Sequence, residues 1–202
     1  MSLALNAVSP ELWSLLKRLM ADESMGQFFL VGGTALALRF GHRVSVDIDL
    51  FSDRAFDSLR LAELLVSEYG LSEATVEKNT VLGVLDGIKL DCMAHQYPMV
   101  VGVEEVEAVR VMAVEDIAAM KLNAIANRGS KKDFWDLYEL MQHHNRKEIL
   151  SFYERKYPQS SLWSVEKSLS YFEDAEADPD PRCLKGRSWD QIKAEIAEWN
   201  RL

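Results

Sequence analysis

An α+β fold, a mixed β-sheet with flanking helices followed by an all-helical half, is what this sequence of 202 residues predicts, on three observations. Val44 to Phe51 alternates strictly, with Val44, Val46, Ile48 and Leu50 on one face and Ser45, Asp47, Asp49 and Phe51 on the other, the period of a half-buried strand. Asp86-Gly87 separates two strand-like runs and signals a type I′ hairpin. From Val114 onward the apolar spacing becomes helical and stays so.

In chain order, Pro10 to Met20 predicts an opening helix, with Leu12, Leu15, Leu16 and Leu19 at helical spacing, Ser9 as N-cap and Pro10 in the first position. Phe28 to Val31 is a short apolar run ended by Gly32 and Gly33. Thr34 then caps a small helix, Ala35 to Phe40, which Gly41 closes. After the Val44–Phe51 strand come a helix over Arg60–Tyr69 and two strands, Thr75–Leu85 and Ile88–Met93. Five helices complete the chain: Val114–Arg128, Lys131–Gln142, Arg146–Lys156, Ser161–Phe172 and Ser188–Asn200. Gly129 stops the first of them, Pro158 follows the third, and Ser188 with Gln191 fits a capping box.

Composition narrows the function classes. Hydrophobic residues at 48% and charged residues at 27% are ordinary for a globular chain and exclude disordered, collagenous and coiled-coil rods. The longest uncharged run, Ser24 to Leu38, is interrupted by glycines and falls short of the roughly 20 residues that cross a bilayer. MSLALNAVSPEL lacks the basic residues of a secretory signal, so a cytoplasmic protein without membrane attachment is expected. Cys92 and Cys183 have no metal-site spacing and read as free thiols, and His42, His95, His143 and His144 read as surface or satisfied histidines. The net charge of −9 opposes nucleic-acid binding by bulk charge. The stretch 110–147 alone has more basic than acidic residues.

Asp47 and Asp49, two residues apart on a strand, project from one face about 7 Å apart along the backbone. In the following hairpin Asp91 shares a face with Lys89 and Met93, and it joins the pair if the two strands are neighbours. Three such carboxylates repel one another unless cations bind them, and their hard oxygens suit magnesium or manganese in two-metal phosphoryl transfer. A polar strand face in water is the plain alternative for a lone pair of aspartates. Gly32-Gly33-Thr34 at a helix N-terminus offers N–H groups and a hydroxyl to an anion, although such a turn alone is also ordinary turn chemistry.

Two helices carry charges on their apolar faces. On Val114–Arg128, Lys121 and Arg128 fall about 20° from each other inside the arc of Val114, Ile117, Ala118, Ala124 and Ile125. Such cations either snorkel out of the core edge or reach an anion, a triphosphate being one. Arg128 in the last turn also complements the helix dipole. On the next helix Asp133 projects between Leu137 and Leu140, with Asp136 at the rim, and it needs a partner: an ion pair with Arg128, Lys131 or Lys132, or a catalytic role.

The segments LVGGTALALRFGHRVSVDIDLF, KLDCM and EDIAAMKLNAIANRGSKKDFWDLYEL resemble the AbiEii/AbiGii-type nucleotidyltransferase toxins, minimal nucleotidyltransferases of the DNA polymerase beta superfamily. The resemblance implies a nucleotidyltransferase core over residues 1–112 and a C-terminal helical domain over 113–202 that completes the nucleotide site. It also implies transfer of a nucleoside monophosphate from ATP, GTP or CTP to an RNA (such as tRNA) or protein acceptor, by a toxin that a cognate antitoxin neutralises. In that reading Gly32, Gly33 and Thr34 hold phosphate, and Asp47, Asp49 and Asp91 are catalytic and bind magnesium or manganese. Arg43 and Ser45 fit the RxSxDxDL signature of the nucleotide site, Lys121, Arg128 and Lys132 grip the triphosphate, and Asp133 is a base or an orienter of the basic cluster. A small-molecule nucleotidyltransferase of the antibiotic-modifying kind, or an idle fold kept for binding, are the alternatives, and the intact carboxylates argue against the second.

Overall fold

The computed structural model describes residues 3–201. It contains seven strands: β1 (Phe29–Leu30), β2 (Ile48–Ser52), β3 (Ser72–Glu77), β4 (Thr80–Leu85), β5 (Ile88–Ala94), β6 (Val103–Val106) and β7 (Val109–Met112). They form one sheet in the order β3-β4-β5-β2-β1-β7-β6. The β2–β5 and β1–β7 pairs are parallel and the others antiparallel, so the sheet is mixed as expected. The helices are α1 (Pro10–Ala21), α2 (Gly32–Phe40), α3 (Ser58–Tyr69), α4 (Val114–Asn127), α5 (Lys131–Met141), α6 (Arg146–Lys156), α7 (Leu162–Ser168), α8 (Glu173–Glu176) and α9 (Trp189–Trp199).

Local chemistry accounts for most boundaries. The Ser9 hydroxyl accepts from the Leu12 N–H at the head of α1, and Asn145 and Glu148 form a capping box on α6. Asp86 and Gly87 both have positive φ, as a type I′ turn between β4 and β5 requires. Four expectations are corrected. Thr75–Leu85 is not one strand: it turns at Lys78-Asn79, where Asn79 takes the left-handed conformation that asparagine tolerates. The Ser161–Phe172 helix breaks into α7 and α8. β2 starts at Ile48, because residues 44 and 45 give their N–H groups to Arg182 and Ala7 instead of to a strand; Ser45 is therefore buried and Val46 is 66% exposed. α2 starts at Gly32 with Val31 as N-cap, so Thr34 lies in its first turn and caps nothing. The β6–β7 hairpin has no sequence signal, since Glu107 and Ala108, with φ 52° and 62°, occupy a turn that glycine or asparagine normally fills.

One apolar cluster runs from α1 and the sheet through α2 into the helical half, with Leu16, Leu30, Leu36, Ile48, Leu122, Phe134 and Ile192 fully buried. Among the described residues no helix is long and apolar enough to cross a membrane. Two polar fasteners position the elements. The Arg110 guanidinium on β7 donates to the carbonyls of Met20, Met25 and Phe28 at 2.9–3.0 Å and fixes the entry to β1. Asp116 on α4 accepts from the N–H groups of Val100, Val101 and Gly102 and from the Lys156 ammonium at 2.7 Å, and Lys156 also reaches the Pro98 carbonyl.

Asp116 and Lys156 are both fully buried. Asp116→Ala leaves the Lys156 charge without its counter-ion and frees three amides, so it is expected to cost about 3–5 kcal/mol of stability, read as a lowered urea midpoint.

Candidate active site

A cavity of about 820 Å³ opens where the glycine turn, β2, β5, α4 and the start of α5 converge, and the segment 178–182 closes one side. Gly32 and Gly33 lie on its wall. Gly32 has φ 69°, and a Cβ there would stand 2.7 Å from Asp49 Oδ2; a Cβ on Gly33 would stand 2.1 Å from Arg43 Nη2. Both positions therefore require glycine, which brings the open first turn of α2 against the carboxylates. No side chain caps that turn, and its N–H groups have no acceptor within the helix.

Parallel pairing of β2 with β5 sets Asp49 directly beside Asp91. Asp47 precedes the strand and faces the same cavity. Burial raises the pKa of the Asp49 carboxyl, and although Lys121 opposes this, Asp91 and Asp47 add to it. The three groups share the cavity without closing on one point: Lys89 holds Asp91 Oδ2 at 2.7 Å, and Lys132 stands 3.7 Å from Asp47 Oδ2. Among the described residues no three His, Cys, Asp or Glu side chains are placed to hold a metal ion together. The donor set nevertheless fits a hard divalent cation, for Asp91 Oδ1 is buried with no hydrogen-bond partner and Asp49 is a crowded carboxylate in want of positive charge.

The basic residues divide into two groups. Lys121, 5% exposed, donates to Asp133 at 2.9 Å and stands 2.6 Å from Asp136, so its ammonium is an internal ion-pair partner. Arg43 binds Asp136 through Nε and Nη2 at 2.7 and 2.9 Å, and His42 Nε2 reaches the same carboxylate at 2.8 Å. Ser45 and Thr34 bond to each other at 2.8 Å. The Thr34 hydroxyl, on a residue only 1% exposed, also reaches the Asp47 carbonyl, so it anchors the 44–47 segment and does not face the cavity. Arg128 and Lys132, by contrast, keep more than half of their side-chain surface exposed at the cavity wall. Arg128 still binds both oxygens of Asp133.

Asp133 accepts from Lys121, Arg128 and Ser130, which leaves it no room to take a proton. Burial alone would raise its pKa, but Lys121 and Arg128 outweigh this and hold it far below the ordinary carboxylate range. Of its two expected roles, orienter of the basic cluster is the one the geometry supports. Asp136 is not at a rim: it is fully buried, and Arg43 and Lys121 hold it well below its usual pKa against the cost of burial. Its spacing of three from Asp133 on the same helix is the signal that could have found it.

Three features had no sequence signal. Lys131 is buried against Asp180, and its backbone N–H binds Asp178, which fixes the 178–182 strap over the cavity. Arg43 forms a β-bridge with Cys183 and continues that strap into the fold. Phe51, Met93, His95 and Tyr157 line the other end of the cavity. His95 is a satisfied histidine, its Nε2 3.2 Å from the Tyr157 hydroxyl; burial and the Lys156 charge bring its pKa down to about 4, so it is neutral near pH 7.

A family model described as nucleotidyl transferase AbiEii toxin, type IV toxin–antitoxin system, matches residues 14–98 and 85–198. An uncharacterized protein of Aquifex aeolicus is 39% identical over 154 residues, 73% of this chain and 75% of that protein. A solved structure from H. pylori, described as a candidate nucleotidyltransferase, has a TM-score of 0.57 at 19% identity and covers 94% of this chain and 90% of that one. JHP933 from Helicobacter pylori has a TM-score of 0.53 at 17% identity, covering 96% and 92%. At that identity the likeness is one of fold, and it bears out the α+β nucleotidyltransferase architecture.

Because Lys121 neutralises two buried carboxylates, Lys121→Met is expected to lose about 3–5 kcal/mol of stability in urea titrations. The pH dependence has a defined sign. Asp133 and Asp136 have lowered folded pKa values, so their contribution is complete above the unfolded value of about 4 and is lost as the pH falls below it. The acid limb of the stability profile is therefore expected to be steeper for the wild type than for Lys121→Met.

Proposed function

The chain belongs to the AbiEii nucleotidyltransferase toxin family, and on that premise we propose that it transfers a nucleoside monophosphate from an NTP to an RNA or protein acceptor. The observation that carries this reading is the pairing of Asp49 with Asp91 in register, against a glycine turn that opens a helix. Membership of a type IV toxin family supports a further part of the reading, that the activity is toxic and has a cognate antitoxin.

The roles follow from what each side chain is free to do. The β- and γ-phosphates lie against the first-turn N–H groups of Gly32 and Gly33, where backbone dipoles favour negative charge. Lys132 and the exposed flank of Arg128 supply cationic donors from the opposite wall. Arg43, Ser45 and Lys121 on the cavity wall, with Thr34 and Asp133 behind it, position these groups, because each is already bonded within the protein. Asp47, Asp49 and Asp91 would hold magnesium or manganese, which supplies Lewis-acid charge to the phosphoryl oxygens when bound. With Oδ1 turned to the cation, Asp91 Oδ2, held only by the half-exposed Lys89, takes the proton of the acceptor hydroxyl. The hydroxyl oxygen forms its bond to the α-phosphorus as the bond to the pyrophosphate oxygen breaks.

Incubation with each α-labelled NTP, magnesium and total cell RNA or protein tests the reading. Label is expected in one acceptor fraction. Asp49→Asn should reduce incorporation on the order of a hundredfold or more with an unchanged melting temperature, since it relieves carboxylate crowding. Equal incorporation by the mutant and the wild type would overturn the assignment. Lys132→Ala is expected to raise the KM for NTP several-fold, a charge-assisted contact being worth about 1.5–3 kcal/mol.

A further inference from the structure

Cys183 stands at the root of the 178–182 strap, partly exposed and outside the residues that line the catalytic cavity. The Val44 N–H donates to the Arg182 carbonyl and the Leu184 N–H to that of His42, which fixes the residue from both sides. Beyond it the chain turns back at Gly186, whose φ of 66° is left-handed. That turn aims the Arg187 N–H at the Cys183 sulfur, 3.3 Å away. From α5 the indole N–H of Trp135 is directed at the same sulfur. Trp135 is only 3% exposed, and its Nε1 has no hydrogen-bond partner among the described residues. Buried indole N–H groups normally find an acceptor. Donors thus converge on one accessible sulfur, and one of them is left unsatisfied.

A cysteine in apolar surroundings is inert, whereas one among hydrogen-bond donors and cations is reactive. Burial raises the pKa of the Cys183 thiol, but the N–H groups of Arg187, Lys185, Trp135 and Gly186 outweigh this and bring it below the ordinary value. Arg182, Lys185 and Arg187 flank it in the chain, and the α5 carboxylates Asp136 and Glu139 are already held by Arg43 and Lys185. We propose that Cys183 is an oxidation site, where a hydroperoxide converts the thiolate to a sulfenic acid whose oxygen accepts the hydrogen bond that Trp135 Nε1 lacks. The thiolate sulfur attacks one peroxide oxygen: an S–O bond forms, the O–O bond breaks, and its electron pair leaves on the other oxygen. That oxygen departs as hydroxide, or as alkoxide from an organic peroxide, and takes up the proton the thiol released. Sulfur is oxidised by two electrons and the peroxide is reduced by two. The chain's other cysteine, Cys92, is fully buried on β5 with its thiol raised by burial, so within the chain no second thiol is open to condense with the product.

The test treats the full chain near neutral pH with hydrogen peroxide and excess dimedone, a trap for sulfenic acids, and locates the adduct by peptide mass spectrometry. Adduct at Cys183 is expected to exceed that at Cys92 on the order of tenfold or more, and Cys183→Ser should abolish it. A second measurement follows alkylation by iodoacetamide against pH. The wild-type midpoint at Cys183 should lie below the value of about 8.5 for a free cysteine. Trp135→Phe keeps an aromatic ring in the core and removes the N–H, so it should move that midpoint upward and slow dimedone labelling several-fold, which a purely structural tryptophan would not do. If Trp135→Phe does not fold, the wild-type midpoint and the Cys183 to Cys92 ratio decide alone. No adduct at Cys183, equal adducts on both cysteines, a midpoint at or above the free value, or a folded Trp135→Phe with the wild-type profile would each overturn the site. No nucleotide enters either assay, so the outcome is independent of the transfer reading.

Discussion

The geometry of the cavity depends on the buried charge network centred on Asp133 and Asp136. Two carboxylates on one helix neutralise Lys121 from α4, Arg128 from its end and Arg43 from the loop before β2, and Asp136 also meets His42 Nε2. Removing such groups from water costs several kcal/mol each, and the pairing roughly returns that cost, so net stability is a poor explanation for the arrangement. Registration is the better one. Arg43 occupies the space a Gly33 side chain would need, Asp136 fixes Arg43, and Thr34 with Ser45 carries the constraint on to the Asp47 carbonyl. The glycine turn, the 44–47 segment and both helices are thereby locked at one mutual distance.

The sheet sets the other coordinate. Because β2 and β5 run parallel and in register, a carboxylate on each falls at the same level, and every pair of residues beyond them is matched as well. Antiparallel β1 brings the glycine turn to the opposite end of β2 from Phe51 and Met93. A one-residue slip of β2 against β5 would turn Asp49 into the core and expose Leu50, which the buried Ile48, Leu50 and Cys92 prevent. The apolar face of these strands therefore specifies the polar one.

Much of this is legible in the sequence, and the gaps have physical reasons. Alternation identifies Asp49 and Asp91 as members of solvent-side faces, and Asp86-Gly87 announces the hairpin that carries Asp91. Periodicity finds Lys121 and Asp133 on the wrong faces of their helices, which is sound evidence that each has a partner. It says nothing of which partner, since an internal carboxylate and a triphosphate satisfy the same requirement. Thr34 looks like a ligand because a hydroxyl beside a glycine turn usually faces outward, and only its bonds to Ser45 and to the Asp47 carbonyl show that it is turned in. The β6–β7 hairpin stays hidden because Glu107 and Ala108 are strained in their turn. His95 and Tyr157 are separated by 62 positions, so no local pattern joins them.

Exposure sorts the ion pairs into those that hold the site and those that can exchange. Lys121–Asp133 and Arg43–Asp136 are enclosed, so breaking them strands a charge in a medium that cannot solvate it. Lys89–Asp91 and Lys132–Asp47 have lysines more than half exposed, where water screens the pair and its net worth is about 0–1 kcal/mol. In the proposed reading an arriving phosphate or cation would compete on nearly even terms for Lys132 and for the carboxylates, and at a far higher cost for Lys121. These four pairs would thus give the basic residues two different roles, the enclosed ones fixing distances and the open ones being released to a ligand at little cost. A site built wholly from enclosed pairs would be rigid and inert, and one built wholly from open pairs would not hold Asp49 and Asp91 facing the glycine turn.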